Sequence, residues 1–108
     1  MSDIIVDPNI NQNFQTISDF KWCMKFGGEV EFVYNGRSYS ITHPNGVIDI
    51  GEGYYMENGI AYNIANKKEC IDMIGKQYNT ADEALEYVVD GERLRDIITK
   101  ITVVMRTI

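Results

Sequence analysis

Residues 29–50, EVEFVYNGRSYSITHPNGVIDI, decide the fold of this chain because one short stretch encodes three strands and two turns. Asn35-Gly36 is the strongest two-residue signal for a β-hairpin. A type I′ turn needs positive φ at both central positions, and Asn and Gly adopt that conformation with the least strain. The turn therefore fixes the register of the first two strands.

This register predicts one apolar and one polar sheet face. The expected pairs are Tyr34 with Arg37, Phe32 with Tyr39, Val30 with Ile41, Glu31 with Ser40 and Glu29 with Thr42. The second turn, His43-Pro44-Asn45-Gly46, is expected to place Ile48 opposite Ile41 and Ile50 opposite Tyr39. The predicted core face is Val30, Phe32, Tyr39, Ile41, Ile48 and Ile50.

A helix of about ten residues is predicted between the N-cap Thr16 and Gly27-Gly28. Its buried stripe comprises Ile17, Phe20, Cys23 and Met24. Trp22 lies off this stripe, either half covered by the segment before the helix or exposed as an interface anchor.

Asn58-Gly59 predicts a second hairpin that pairs Tyr55 with Tyr62 and Met56 with Ala61. Apolar side chains occur on both of its faces. Either both faces are covered, or one face is a binding surface.

Helical periodicity recurs in the last third of the chain. Asn66 is expected to cap a helix over residues 67–76, with Cys70, Ile71, Met73 and Ile74 turned to the core. Thr80 to Glu83 form a capping box before a helix whose buried residues are Ala84, Leu85 and Val88. A last helical turn buries Leu94, Ile97 and Ile98, and residues 101–106 return as a strand that can pair with the three-stranded meander of residues 29–50.

The expected fold class is α+β: an antiparallel sheet of about four or five strands, an N-terminal helix, and two or three short helices before the final strand. The 108 residues are expected to form a single domain, residues 1–108, in which residues 1–15 are a loose lead-in. Within that lead-in, the run Ile4-Ile5-Val6 is a candidate edge strand.

The charge balance bears on the kind of partner. Ten basic and sixteen acidic side chains give a formal charge of -6, which disfavours direct binding of nucleic acid or an anionic membrane. An acidic surface suits a basic protein partner, or it simply keeps the chain dissolved. The N-terminal residues contain neither a signal peptide pattern nor a membrane span, so a cytoplasmic location is expected.

No catalytic or metal-ligand pattern is evident, and no cofactor is expected. The single histidine, His43, lies in a turn, and the two cysteines, Cys23 and Cys70, are far apart in apolar surroundings that favour buried thiols. Glu52 and Glu57 flank the aromatic hairpin, where they are either solvated acids or a carboxylate pair in a cleft.

The densest acidic region spans residues 82–96 and contains Asp82, Glu83, Glu86, Asp90, Glu92 and Asp96. These acids have a structural interpretation as helix-terminal and exposed side chains. The functional interpretation is an acidic patch that imitates nucleic acid phosphate or docks on a basic groove.

Two stretches carry a family resemblance: residues 20–42, FKWCMKFGGEVEFVYNGRSYSIT, and residues 80–98, TADEALEYVVDGERLRDII. Together they resemble small acidic proteins of phages and integrative elements of low-GC Gram-positive bacteria, some of which are anti-CRISPR inhibitors. The resemblance implies a non-enzymatic inhibitor that binds a host defence nuclease.

For such an inhibitor, we expect aromatic anchors surrounded by acids that steer association. The expected binding residues are Tyr54, Tyr55, Met56, Tyr62, Asp82, Glu83, Glu86, Asp90 and Glu92. Two alternatives are an immunity or accessory protein that binds a toxin or host complex, and a small enzyme that uses Glu52 and Glu57.

Overall fold

A computed structural model describes residues 12–108 and shows an α+β fold. Within these residues, helices α1 to α3 are Ile17–Lys25, Ala81–Ala84 and Leu94–Ile97. Strands β1 to β9 are Val30–Tyr34, Arg37–Thr42, Ile48–Glu52, Tyr54–Glu57, Ile60–Asn63, Lys76–Tyr78, Val88–Val89, Glu92–Arg93 and Thr102–Arg106. A 3₁₀ turn, Pro44–Gly46, joins β2 to β3.

The main sheet is antiparallel and has five strands in the order β6-β3-β2-β1-β9. The predicted register of β1 and β2 is confirmed, with Phe32 opposite Tyr39 and Val30 opposite Ile41. Asn35 has a φ of 49° and Gly36 a φ of 76°, as a type I′ turn requires. The final strand pairs with β1, as expected.

The predicted register of β2 and β3 is wrong by two residues. Ile50 lies opposite Ile41, and Glu52 lies opposite Tyr39. The connection is longer than a four-residue turn because the 3₁₀ turn is followed by Val47 in extended conformation. A shift of two preserves the sheet faces, so Ile48 and Ile50 remain buried. It also brings Glu52 into the sheet beside the core residue Tyr39.

The core lies between the sheet and the helices, and the predicted packing of Phe20, Met24, Leu85 and Ile97 onto the apolar sheet face is confirmed. Ile17 was expected in the core but is exposed. Phe14, in the segment before the helix, is buried: it is 1% exposed and meets the Phe20 ring edge-on at 5.3 Å between centroids.

The part of the lead-in that the structure describes is anchored rather than loose. The Asn13 side chain accepts a hydrogen bond from the backbone amide of Val103 at 2.7 Å, and Arg106 lies over the Phe14 ring. Arg106 also forms an ion pair with Asp19 at 2.9 Å. The candidate strand Ile4-Ile5-Val6 lies outside the described residues.

The helix predicted over residues 67–76 is absent. Lys67 has a φ of 62°, which a right-handed helix does not allow. The backbone instead follows β5: the Cys70 amide donates to the Ala61 carbonyl, and the Asn63 amide donates to the Lys68 carbonyl. Pairing with a neighbouring strand therefore overrides the helical periodicity, and Ile71, Met73 and Ile74 are exposed. Cys70 is half-buried, whereas Cys23 is buried as expected.

The expected burial of Val88 is also wrong. Helix α2 ends at Ala84, and Val88 lies in β7, where neighbouring side chains point to opposite faces. Val89 is therefore the buried residue and Val88 the exposed one. The predicted burial of Ala84, Leu85, Leu94, Ile97 and Ile98 is confirmed.

Candidate functional site

A groove of about 190 Å³ opens at one end of the main sheet. We call it the isoleucine groove; its lining residues are Arg37, Tyr39, Glu52, Ile71, Asp72, Ile74, Lys76, Tyr87 and Val88. Strands β2, β3 and β6 supply one wall, and the segment between β5 and β6 supplies the two isoleucines. Residues distant in sequence therefore meet here.

Glu52 is the central polar group of this groove, because its buried carboxylate accepts four hydrogen bonds. One oxygen accepts from Arg37 at 3.1 Å and from the Asn63 side chain at 3.1 Å. The other oxygen accepts from the backbone amides of Ile71 and Asp72, each at 2.8 Å. The arrangement compensates the desolvation of a buried carboxylate and fixes the backbone of the isoleucine segment.

Asn63 holds the second hairpin, β4 with β5, to the main sheet. Its side-chain oxygen accepts from the backbone amide of Ser38 at 2.9 Å, and its amide nitrogen donates to the Ser38 carbonyl at 3.0 Å. Because Asn63 is buried, these bonds replace water at both Ser38 groups. The base of the hairpin is thus fixed.

Close backbone contact brings the isoleucine segment against β3. A Cβ atom placed on Gly51 would lie 3.1 Å from the Gly75 Cα, and one placed on Gly75 would collide with the Asp49 carboxylate. Side chains at these positions would push the segment away from the strand.

Three apolar side chains at the groove are exposed to solvent. The backbone amides of two of these residues, Ile71 and Ile74, donate hydrogen bonds to Glu52 and Asp72. Ile71 is 79% exposed, Ile74 81% and Val88 54%. Adjacent exposed aliphatic side chains on an ordered segment are typical of a protein contact surface. The sequence prediction missed these residues because it placed all three in helical core positions.

The floor of the groove includes two tyrosines whose rings meet edge-on, Tyr39 and Tyr87, with centroids 6.4 Å apart. Burial raises the pKa of both hydroxyls, so both stay protonated at neutral pH. Two acids, Glu52 and Asp72, face two bases, Arg37 and Lys76, so the groove lining has no formal net charge.

The four residues of the predicted aromatic anchor lie on two different faces of the second hairpin. Tyr55 and Tyr62 stack at 5.7 Å between ring centroids, and Lys67 lies over the Tyr55 ring, so these two rings are half-buried by neighbours. Tyr54 and Met56 belong to the other hairpin face and are exposed. The predicted pairing of Tyr55 with Tyr62 and of Met56 with Ala61 is confirmed.

The predicted acidic residues are all exposed, but each has a partner within the chain. Asp82 forms an ion pair with Lys21, and Glu83 completes the capping box with Thr80. Glu86 forms ion pairs with Arg93 and Arg95; hydrogen bonding from Arg95 is the main reason that its pKa is lowered.

Two further carboxylates tie the β7–β8 turn to the first hairpin. Asp90 accepts a hydrogen bond from the Asn35 side chain at 2.8 Å. Glu92 accepts one from the Tyr34 hydroxyl at 2.6 Å, and this contact raises the pKa of Tyr34. Both donors are neutral, so neither contact is an ion pair.

The residues considered for catalysis, Glu52, Glu57 and His43, do not lie together. Glu52 lies opposite Tyr39, while Glu57 lies opposite Ile60 in the other sheet. The His43 ring nitrogen Nε2 is 2.8 Å from the Gly28 carbonyl oxygen. Within residues 12–108, no three His, Cys, Asp or Glu side chains are placed to hold a metal ion.

No helix in the part of the chain that the structure describes is long and apolar enough to cross a membrane. No protein-family model, curated protein or solved structure matches this chain.

Proposed function

We propose that this protein is a non-enzymatic inhibitor that binds a basic protein partner through the isoleucine groove. The observation that carries the proposal is the pair Ile71 and Ile74, about four-fifths exposed beside backbone amides that Glu52 holds in place. An ordered apolar contact loses little conformational entropy on binding, which favours affinity.

The dimensions of the groove favour a protein partner over a small ligand. Its volume of about 190 Å³ is below the roughly 300 to 1,000 Å³ usual for small-molecule sites. The apolar side chains line an open groove rather than an enclosed cavity. Such a surface suits one or two side chains of a partner within a larger contact.

Charge supports a basic partner. Residues 82–96 contain six carboxylates and two arginines, and the whole chain carries a formal charge of -6. Arg93 lies opposite Val88 in the β7–β8 pair, so this acidic region of residues 82–96 adjoins the groove. We expect the apolar residues to slow dissociation and the acidic surface to speed association.

The class of partner comes from the resemblance to proteins of mobile genetic elements. It points to a host nuclease with a nucleic acid-binding groove, as in anti-CRISPR inhibition. In this proposal the hairpin residues Tyr54 and Met56 extend the contact, while Tyr55 and Tyr62 support the hairpin.

The test is affinity capture from a lysate of a low-GC Gram-positive host, with quantitative comparison of three forms of the protein. Wild type and a Val104→Ser control are expected to retain the same basic nucleic acid-binding protein. The Ile71→Ser/Ile74→Ser variant should retain at least about tenfold less of that protein than wild type does. Val104 is a suitable control because its exposed side chain lies on the other edge of the sheet.

The purified partner then distinguishes inhibition from other roles. An inhibitor should block nucleic acid cleavage at about one equivalent, whereas an enzyme acting on the partner should work at far lower ratios. Binding without loss of nuclease activity would favour an immunity or accessory role. Equal capture by all three forms would contradict the assignment of the isoleucine groove.

A further inference from the structure

The isoleucine groove contains two tyrosine hydroxyls that have no hydrogen-bond partner among residues 12–108. They belong to Tyr39 and Tyr87, which both line the groove. Tyr39 is only 5% exposed, yet no buried side-chain oxygen in the described part of the chain lacks a partner. Its hydroxyl is therefore not sealed in the core but opens to the groove. An unpaired hydroxyl at the end of a buried side chain indicates a position for a ligand atom.

Aliphatic side chains stand beside these hydroxyls. Ile71, Ile74 and Val88 are largely exposed and line the same groove of about 190 Å³. Such a volume suits one long side chain better than a separate small molecule. A side chain that fits has an apolar stem for these walls and a polar end for the tyrosines.

Asp72 places a fixed negative charge at the groove. Its backbone amide donates to Glu52 at 2.8 Å, and its Oδ1 accepts from the Ile74 amide at 3.0 Å. Its Oδ2 has no hydrogen-bond partner within the described residues. Burial is the main cause of the raised pKa of Tyr87, and the charges of Glu52 and Asp72 raise it further. The polar end of the groove therefore favours a cation.

The two basic side chains of the groove do not oppose such a cation strongly. Arg37 is neutralised by Glu52, with 3.1 Å between Nη1 and Oε1. Lys76 is exposed on β6, and its long flexible side chain can turn its ammonium group to water. Asp72 has a short side chain on a held backbone, so its charge stays at the groove.

We propose that the isoleucine groove receives an arginine side chain of the partner. This inference rests on the proposed function, because a basic partner is what presents arginine to the groove. A guanidinium carries five N–H donors in one plane, enough for the hydroxyl oxygens of Tyr39 and Tyr87 and the open oxygen of Asp72. Its aliphatic stem packs on the isoleucines.

Other side chains fit these groups less well. A lysine ammonium is compact and strongly hydrated, so it loses more hydration on entering the groove. A leucine side chain leaves both tyrosine hydroxyls without a partner. A glutamate could accept from the hydroxyls, but its charge would lie beside the carboxylates of Glu52 and Asp72.

The test uses blocked tripeptides with glycine on each side of a central arginine, lysine, citrulline, leucine or glutamate. Citrulline is the neutral isostere of arginine. Each peptide is titrated to about 20 mM into the full chain and followed by NMR. The arginine peptide should shift the methyl signals of Ile71 and Ile74 and saturate at millimolar concentration. The other peptides should bind at least about threefold more weakly.

Trp22 supplies an internal control for unspecific contact between arginine and an exposed ring. It is the single tryptophan, it is 58% exposed on α1, and it lines a different groove. Its indole N–H signal should stay in place while the isoleucine signals move. Equal shifts at Trp22 and at the isoleucines would overturn the inference.

Variants locate the hydrogen bonds. Tyr87→Phe and Tyr39→Phe each remove one hydroxyl and keep the ring, and each should weaken binding of the arginine peptide about three- to tenfold. Asp72→Asn should weaken binding of arginine but not of citrulline. Tyr62→Phe is the matched control, because the Tyr62 hydroxyl also lacks a partner in the described residues but lies on the second hairpin. Thermal unfolding of each variant checks that the fold is intact.

Any other peptide that binds as tightly as the arginine peptide would overturn the inference. So would the absence of shifts at Ile71 and Ile74, or binding that both groove tyrosine variants leave unchanged. Lysate capture that depends on the isoleucines, without a preference for arginine, would keep the proposed function and reject this inference. Arginine-selective binding without capture of a partner would support the inference and reject the proposed function.

Discussion

The carboxylate of Glu52 accepts a hydrogen bond from the backbone amide of Ile71 at 2.8 Å, which joins a buried strand to an exposed apolar segment. The side chain of Ile71 points to solvent while its backbone is held. The same carboxylate binds the Asp72 amide, Arg37 and Asn63. One acid therefore orders the isoleucine groove and the base of the second hairpin.

Glu52→Gln should destabilise the protein and loosen the isoleucine segment. The amide places an NH₂ group where the carboxylate accepts hydrogen bonds on both oxygens, so at least one donor loses its partner. We expect a loss of about 1 to 3 kcal/mol in the free energy of unfolding, measured in urea. Hydrogen exchange at the amides of Ile71 and Asp72 should accelerate more than at β1.

The matched control for that experiment is Glu57→Gln, since Glu57 is exposed at the end of the second hairpin. It should change stability by no more than about 0.5 kcal/mol. Unchanged exchange at Ile71 in Glu52→Gln would show that the carboxylate does not hold the segment.

Two isoleucines provide a direct comparison of exposed and buried positions. Ile71→Ala should alter the free energy of unfolding by less than about 0.5 kcal/mol, because its side chain has little apolar contact to lose. Ile50→Ala should cost about 2 to 5 kcal/mol, because Ile50 is fully buried in the core face of the sheet. Similar losses at both positions would refute the exposed placement of Ile71.

Asp19 should make stability pH-dependent through its ion pair with Arg106. Hydrogen bonding from Arg106 lowers the pKa of Asp19 below its ordinary value of 3.8. Between the folded and unfolded pKa values the unfolded chain binds more protons, so stability falls as the pH falls. The contribution of this ion pair to the free energy of unfolding is complete above about pH 5. It is lost as the pH falls through the pKa of Asp19 in the folded state.

The variant Asp19→Asn measures that contribution. At neutral pH it should be less stable than wild type by about 1 to 2 kcal/mol, and this difference should shrink toward about pH 2. A difference that does not depend on pH would assign the loss to packing instead. Asp82→Asn, at a largely exposed ion pair, should change stability by less than about 1 kcal/mol.

The stacked rings of Tyr55 and Tyr62 should support the second hairpin. A double-mutant cycle with alanine at both positions, followed by urea unfolding, should give a coupling energy of about 0.5 to 1.5 kcal/mol. Tyr54→Ala serves as the control, since Tyr54 lies on the other face of the same strand. Coupling near zero would indicate that stacking contributes nothing to stability.

Local sequence signals specified much of this fold. Asn35-Gly36 fixed the register of β1 and β2 because its backbone preference leaves few alternatives. The capping box at Thr80 and Glu83 started α2 where expected, and alternating apolar residues identified the core face. These features depend on residues close together in the chain, so they can be predicted from the sequence.

Tertiary contacts decided what the sequence left open. Residues 67–76 have a helical apolar pattern. However, the Ala61 carbonyl accepts a hydrogen bond from the Cys70 amide and the Asn63 amide donates one to the Lys68 carbonyl, so residues 68–70 lie against β5. The Glu52 carboxylate binds the next two backbone amides. The sequence showed that Glu86 is an acid, but it did not show that Arg93 and Arg95 are its partners. The isoleucine groove exists because Glu52 and Ile71, nineteen residues apart, meet only after the sheet forms. Sequence alone determined the two Asn-Gly hairpins, the final strand and the apolar face of the main sheet; the position of the isoleucines followed from buried polar contacts that form only in the folded chain.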